Sequence, residues 1–225
     1  MMNEIERLVR EAKHPVALTG AGISAPSGIP TFQGLWKGKP IRDFLSRDYF
    51  NKHREEFFEL FVEMESWCDK EPNAAHKALA ALGIPVITQN IDGLHEKAGT
   101  HVVYPLHGTL HTVHCAKCGA KQSAKALADV LRPLYATGDI KAIREALRCP
   151  RCGGSIDTDV VLYGDNVQKL YEAIEQSEQA DLMLVIGTSL TTYPAAAMPD
   201  IARKRGARII EINDDCIKAL EGIGG

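Results

Sequence analysis

The chain has no excess of basic charge, no long apolar run and few aromatic side chains, 6% in all. Its formal net charge is −3, and Lys and Arg are nowhere gathered into a run. The electrostatic footprint of a nucleic-acid binder is therefore missing, and no nucleic-acid partner is expected. No apolar stretch reaches the ~20 residues that span a bilayer, so no membrane association is expected. Met1 to Arg7 lacks the basic start and apolar centre of a secretory signal, so a cytoplasmic location is expected. Thiols stay reduced there, and the 6 cysteines call for a purpose other than disulfides. Internal repeats and low-complexity tracts are absent as well. What remains is a chain of 225 residues, 45% hydrophobic and 24% charged, with enough length to bury a core as one large or two small domains.

The most informative stretch runs from Val16 to Gly34. Val16 to Thr19 is an apolar segment of strand length, followed by Gly20, Gly22 and Ala25 in the spacing Gly-x-Gly-x-x-Ala. Glycines directly after a strand make a tight turn and let bare backbone N–H groups approach an anion, as in dinucleotide-binding loops. An ordinary dehydrogenase would enter a helix at once. Here Pro26, Gly28, Pro30 and Gly34 keep the segment a loop, of the length and composition of a cofactor lid.

Further apolar strands are expected at Pro85–Thr88, Val102–Tyr104, Ala180–Ile186 and Arg208–Ile212. Each ends in a polar or glycine cluster: Gln89 to His95, Pro105 to Gly108, Gly187-Thr-Ser189, and Asn213 to Asp215. Helical periodicity marks Asn3–Lys13, with Asn3 as cap and Glu6 placed for a capping box, and one or more helices in Ile41–Cys68. Pro72 to Gly83, Ser123 to Leu147 and Tyr193 to Arg205 also read as helical. Strands alternating with helices predict an α/β fold around a doubly wound parallel sheet, whose ligands bind at the carboxyl edge.

Cys115-x-x-Cys118 and Cys149-x-x-Cys152, each followed by Gly, form two knuckles. Two thiolates per knuckle suit a tetrahedral four-sulfur Zn²⁺ site with no open position, so the metal organises structure and does no chemistry. A redox dithiol is the competing reading. Cys68 and Cys216 read as small hydrophobes. Among the histidines, His107 follows a strand and precedes a glycine, which makes it the candidate catalytic base. His76 and His95 read as packing or capping groups. Asp92 is either a ligand's hydrogen-bond acceptor or a helix N-cap.

Taken in order, Gly20 to Phe32, Thr88 to His95, Leu106 to Gly108, the four cysteines, Val160 to Gly164 and Gly187 to Leu190 resemble the sirtuins, NAD-dependent protein lysine deacylases, of bacterial or archaeal type. The resemblance covers nearly the whole chain. It implies a Rossmann-like domain from 1–38, 76–112 and 155–225, and a small domain with a helical part at 39–75 and a zinc-binding part at 113–154. It implies NAD as co-substrate, structural Zn²⁺, an acyl-lysine protein or peptide as partner, and a monomer. By matching motif, Gly20, Ala21, Gly22, Ala25, Phe32 and Gln33 lie along the NAD loop. Gln89, Asn90, Ile91 and Asp92 surround the nicotinamide and its ribose, with Asp92 holding the carboxamide. Gly187, Thr188, Ser189, Asn213 and Asp214 sit by the adenosine half. His107 and Asn90 are the catalytic residues, and His107 is the general base. Val160, Val161, Leu162, Tyr163 and Gly164 pair with the substrate backbone as an added strand.

The chain departs from the family pattern at Gln33, where Arg is usual, and at Tyr163 and Asp165, where Phe and Glu are usual. A neutral amide cannot supply a charged fork, which keeps NAD hydrolysis or ADP-ribosyl transfer open as an alternative. Phe58 to Phe61 lacks the Tyr-x-x-Arg pair that reads acidic acyl groups in some sirtuins, so neutral groups, acetyl first, are expected.

Overall fold

The computed structural model describes residues 3–31 and 34–223. They fall into two compact units: Met1–Thr31, Lys70–His107 and Val167–Gly225 form the first, and Phe32–Asp69 with Gly108–Asn166 the second.

The first unit is built on a five-stranded sheet of Pro15–Thr19, Val86–Thr88, Val103–Pro105, Leu182–Ile186 and Arg208–Ile212. In space the order is fifth, fourth, first, second, third, and every pairing is parallel. Ala17 stands in register with Val86 on one side and Leu184 on the other. The chain builds outward from the first strand in one direction, then crosses to its other side. The carboxyl ends of the first and fourth strands thus flank the switch point at which such sheets bind ligands.

Both faces of this sheet are covered at its centre, which is why Pro15–Thr19, Val86–Thr88 and Leu182–Ile186 read as apolar runs. Val16 and Leu18 pack with Met183, Val185 and Met198, while Ala17 packs with Ile23, Leu79 and Leu184. Asn3 caps the helix Glu4–Glu11 by accepting the Ile5 N–H at 2.8 Å. Glu6 pairs with Arg10 at 2.6 Å, so that pairing takes the carboxylate which the capping-box reading had assigned to the cap. Asn73 caps Ala74–Leu82, which ends on Gly83 at φ +68. Leu170–Gln179 is a helix that the sequence reading missed. It is mostly polar and reaches the core through Ala173. Tyr193–Arg205 is shorter and less regular than expected: a 3₁₀ turn at Ala195–Ala197 leads into Met198–Lys204.

In the second unit the aromatic stretch forms the helices Ile41–Phe44, Arg47–Lys52 and Arg54–Glu65. Phe44, Phe50, Phe57, Phe58 and Phe61 are buried, and Phe50 meets Phe57 edge-on with centroids 4.8 Å apart. Beside them Lys121–Ser123, Gly108–Cys115 and Ile156–Val160 make an antiparallel three-stranded sheet with Gly108–Cys115 in the middle. The middle strand lies outside the strands expected from the sequence. A register shift between Gly108 and Val113 breaks the alternation that would have marked it. The helical stretch after it is two helices, Ala124–Thr137 and Ile140–Ala146, broken at Gly138 and capped by Ser123 and Asp139. Among the described residues no helix is long and apolar enough to cross a membrane.

Candidate active site

The glycine loop leaves the first strand as two 3₁₀ turns, Ala21–Ile23 and Ala25–Ser27. Its glycines serve a different need from the one expected. The Gly20 N–H donates to the Ile186 carbonyl at 3.0 Å and the Gly22 N–H to the Gly187 carbonyl at 2.8 Å, so neither is held ready for an anion. A side chain cannot fit instead: a Cβ on Gly22 would lie 2.7 Å from Gly187 Cα, and one on Gly187, which has φ +61, would lie 2.3 Å from the Ile23 nitrogen. The residues Gly20, Gly22 and Gly187 lock the loops after the first and fourth strands together at the switch point. Ala21 and Ala25 lie on the same loop, while Phe32 and Gln33 fall outside the described residues.

The second strand delivers Gln89 to Asp92 to the same edge. Gln89 Nε2 donates to Thr188 Oγ1 at 2.8 Å, and the Thr188 N–H donates to Asn213 Oδ1 at 3.1 Å. This ties the ends of three strands together. Asn90 is 6% exposed, and its Nδ2 donates to the Gly20 carbonyl at 3.2 Å and to Ser24 Oγ at 3.0 Å. Its Oδ1 is buried and has no hydrogen-bond partner among the described residues. Ile91 is buried. Asp92 is buried and lies one residue before Gly93, the cap of the helix Leu94–Lys97; its Oδ1 accepts the Leu94 N–H at 2.9 Å, and its Oδ2 accepts the Ser24 hydroxyl at 2.7 Å. His107 is half-buried, with Nδ1 at 2.9 Å from the Gln89 carbonyl. Burial lowers its pKa from the ordinary imidazole value, partly opposed by that carbonyl. Ser189 and Asp214 are exposed at the same edge, Ser189 beside Thr191.

A layer of polar groups below these residues was assigned no part in the site from sequence. The Thr19 hydroxyl donates to Thr88 Oγ1 at 2.9 Å, so Thr19 accepts from His95 Nε2, also at 2.9 Å. Thr88 Oγ1 accepts the Asn90 N–H at 3.0 Å. His76 Nε2 lies 3.4 Å from Ser24 Oγ. The two histidine rings are 4.9 Å apart and fully enclosed. Burial depresses His76 to about 4 and His95 to about 3, so both are neutral near pH 7. Asn73 Nδ2 donates to the Ile23 carbonyl at 2.8 Å, fastening the glycine loop to a helix start. The signal for this layer was one of residue type: hydroxyls and imidazoles at strand ends otherwise made of apolar residues.

In the second unit, Val160 closes its strand and Val161 to Gly164 run on from it. The Tyr163 side chain is 55% exposed. Cys115, Cys118, Cys149 and Cys152 bring their sulfurs within 4.8 Å of one another. All of them are free thiols, with Cys115 and Cys152 Sγ 3.5 Å apart and Cys118 and Cys149 Sγ 3.8 Å apart. A Cβ on Gly154 would come within 2.9 Å of Cys115 Sγ, so only glycine leaves the sulfurs this room. The Ala120 N–H, and next the Cys152 thiol, draw Cys118 down to about 6, toward the thiolate that a metal binds. Four convergent thiols at this spacing fit a structural zinc ion.

The family model described as the Sir2 family matches residues 20–194. The chain belongs to the Sir2 family. Among Sir2 relatives, the NAD-dependent protein deacylase of Thermococcus kodakarensis is 38% identical over 224 residues, covering 95% of this chain and 84% of the relative. The NAD-dependent protein deacetylase 1 of Pyrobaculum aerophilum is 40% identical over 225 residues, covering 95% of this chain and 84% of the relative. A solved Sir2–p53 peptide–NAD+ complex superimposes with a TM-score of 0.83 at 33% identity, covering 98% of this chain and 95% of that one.

Proposed function

We propose that this chain is an NAD-dependent protein lysine deacylase that converts an acyl-lysine protein or peptide and NAD into free lysine, nicotinamide and O-acyl-ADP-ribose, with acetyl the first acyl group. The observation that carries the reading is His107, held by the carbonyl of Gln89, with the next residue, Asn90, keeping a buried Oδ1 that has no partner among the described residues. A base with a fixed tautomer and a buried acceptor with no protein partner suit a ribose and its hydroxyls.

NAD, when bound, supplies the nicotinamide–ribose bond whose cleavage drives acyl transfer. The residues of the chain do the rest. By the family motif Ala21, Ala25, Phe32 and Gln33 would line the dinucleotide, and Gln89 and Ile91 would flank the nicotinamide ribose. Asp92 holds the carboxamide, fixed by the hydroxyl of Ser24 and the N–H of Leu94. Thr188, Ser189, Asn213 and Asp214 hold the adenosine half. Asn90 orients the ribose, and His107 takes the proton from its hydroxyls at Nε2. Val160 to Gly164 offer main chain to the peptide. Cys115, Cys118, Cys149 and Cys152 hold zinc, which leaves no position open for chemistry. A monomer in the cytoplasm completes the proposal, and the absence of nucleic-acid partners rests on the net charge of −3.

The test is whether nicotinamide release depends on acyl peptide. With NAD alone the protein should release almost none, and an acetyl-lysine peptide should start release. Equal rates with and without peptide would overturn the reading in favour of NAD hydrolysis.

A further inference from the structure

Arg47 joins three parts of the second unit. Its Nε and Nη2 donate to the two oxygens of Asp165 at 2.8 and 2.7 Å, and its Nη1 donates to both oxygens of Asp157 at 2.9 and 3.0 Å. Its backbone N–H donates to the Tyr163 carbonyl at 3.0 Å, and the Tyr163 N–H donates to the Leu45 carbonyl at 2.9 Å. Ser46 and Tyr163 thereby form a parallel bridge. Asp165 turns the chain back on itself: its Oδ2 accepts the Leu162 N–H at 3.0 Å, and its own N–H donates to the Leu162 carbonyl at 2.9 Å. The guanidinium also lies over the buried ring of Phe50, 4.7 Å from its centroid, and Arg54 lies 4.5 Å from the same ring.

These bonds engage both main-chain groups of Leu162 and both of Tyr163 within the protein. Of the segment from Val161 to Gly164, the main chain of Val161 and Gly164 makes no such bond among the described residues. We propose that Arg47 is a positioning residue for the peptide substrate, presetting the 161–165 segment so that the main chain of Val161 and Gly164 faces the incoming backbone. The inference rests on the reading of Val160 to Gly164 as the peptide-pairing segment. An extended peptide gains main-chain bonds from an ordered edge, whereas a loose edge must first be ordered at the expense of affinity. Asp165 and Asp157 are gripped by one planar fork, a geometry that lysine cannot reproduce.

The test compares steady-state kinetics of the full-length wild-type chain with Arg47→Gln, Arg47→Lys and Val161→Pro, using NAD and an acetyl-lysine peptide. Melting temperature and zinc content serve as controls for folding. Arg47→Gln should raise the peptide KM about tenfold through lost preorganisation, with kcat within about twofold and the NAD KM unchanged. Arg47→Lys should fall between Gln and wild type. Val161→Pro, which deletes an N–H offered to the substrate, should also raise the peptide KM. If Val161→Pro raises the peptide KM and Arg47→Gln does not, the inference is overturned while the peptide-pairing reading stands. If neither moves it, the peptide-pairing reading itself fails. A uniform loss of kcat with unchanged KM values in Arg47→Gln would mark a purely structural role and also overturn the inference. Should the Gln variant not fold, an Arg47→Lys variant with a wild-type peptide KM would do the same.

Discussion

His107 and Gln89 are joined by one hydrogen bond, imidazole Nδ1 to main-chain carbonyl at 2.9 Å. A carbonyl can only accept, so the proton of the neutral ring sits on Nδ1 and Nε2 keeps its lone pair. The main chain thereby selects the tautomer that can act as a base.

Replacing the ring should remove catalysis and spare binding. His107→Ala is expected to lower the deacylation rate by about 10²- to 10⁴-fold, the usual contribution of a positioned base. NAD affinity, measured by calorimetric titration, should change little. Retained turnover would count against His107 as the base.

The acid limb of activity should lie low. As the proposed base His107 must be unprotonated, and burial holds its pKa below the 6.5 of an ordinary imidazole. The pH profile of kcat/KM should therefore stay flat from pH 7.5 downward and fall only below 6.5. A limb centred at or above that value would contradict the assignment.

Acid should also unfold the first unit through His76 and His95. Their folded pKa values are depressed from 6.5 to about 4 and about 3. The unfolded chain binds protons first as pH falls, so the stability they contribute is complete above pH 6.5 and drains away toward those lower values. The linkage amounts to about 2 kcal/mol per histidine between pH 7 and 5. Thermal denaturation in buffers across that range should show it as a falling melting temperature, and a flat profile would refute it.

Gly22→Ala should be damaging although the change is one methyl group. The new Cβ would meet the Gly187 backbone at 2.7 Å, and backbone cannot swing aside like a side chain. A loss of about 1–3 kcal/mol is expected from overpacking, with weakened NAD binding as the two loops separate. Urea denaturation and NAD titration of the variant check both effects.

One zinc per chain should copurify with the protein, as measured by elemental analysis. Stripping it with a chelator, or replacing Cys149 by Ala, should lower the melting temperature of the second unit. Metal-free protein with an unchanged melting profile would refute the structural role.

Much of this was legible in the sequence because the three central strands of the parallel sheet are buried on both faces. Leu182 to Ile186 has no alternative to the middle of a sheet, and the polar cluster after each strand marks the ligand edge. The four cysteines were legible because metal geometry dictates their spacing. The middle strand Gly108–Cys115 was hidden by its register shift, and the helix Leu170–Gln179 by its polar surface. The reason for Gly20 and Gly22 lay in a tertiary contact, since Gly187 is more than 160 residues away and its approach cannot be read locally. The same holds for Arg47, a surface-type residue whose partners Asp157 and Asp165 become neighbours only through folding.

The central claim, that this site couples NAD cleavage to lysine deacylation, is tested most directly by resolving the products of one reaction with NAD and an acetyl-lysine peptide by mass spectrometry. Nicotinamide, O-acetyl-ADP-ribose and deacetylated peptide should appear in equal amounts. Free ADP-ribose beside unchanged peptide, or NAD left intact, would contradict it.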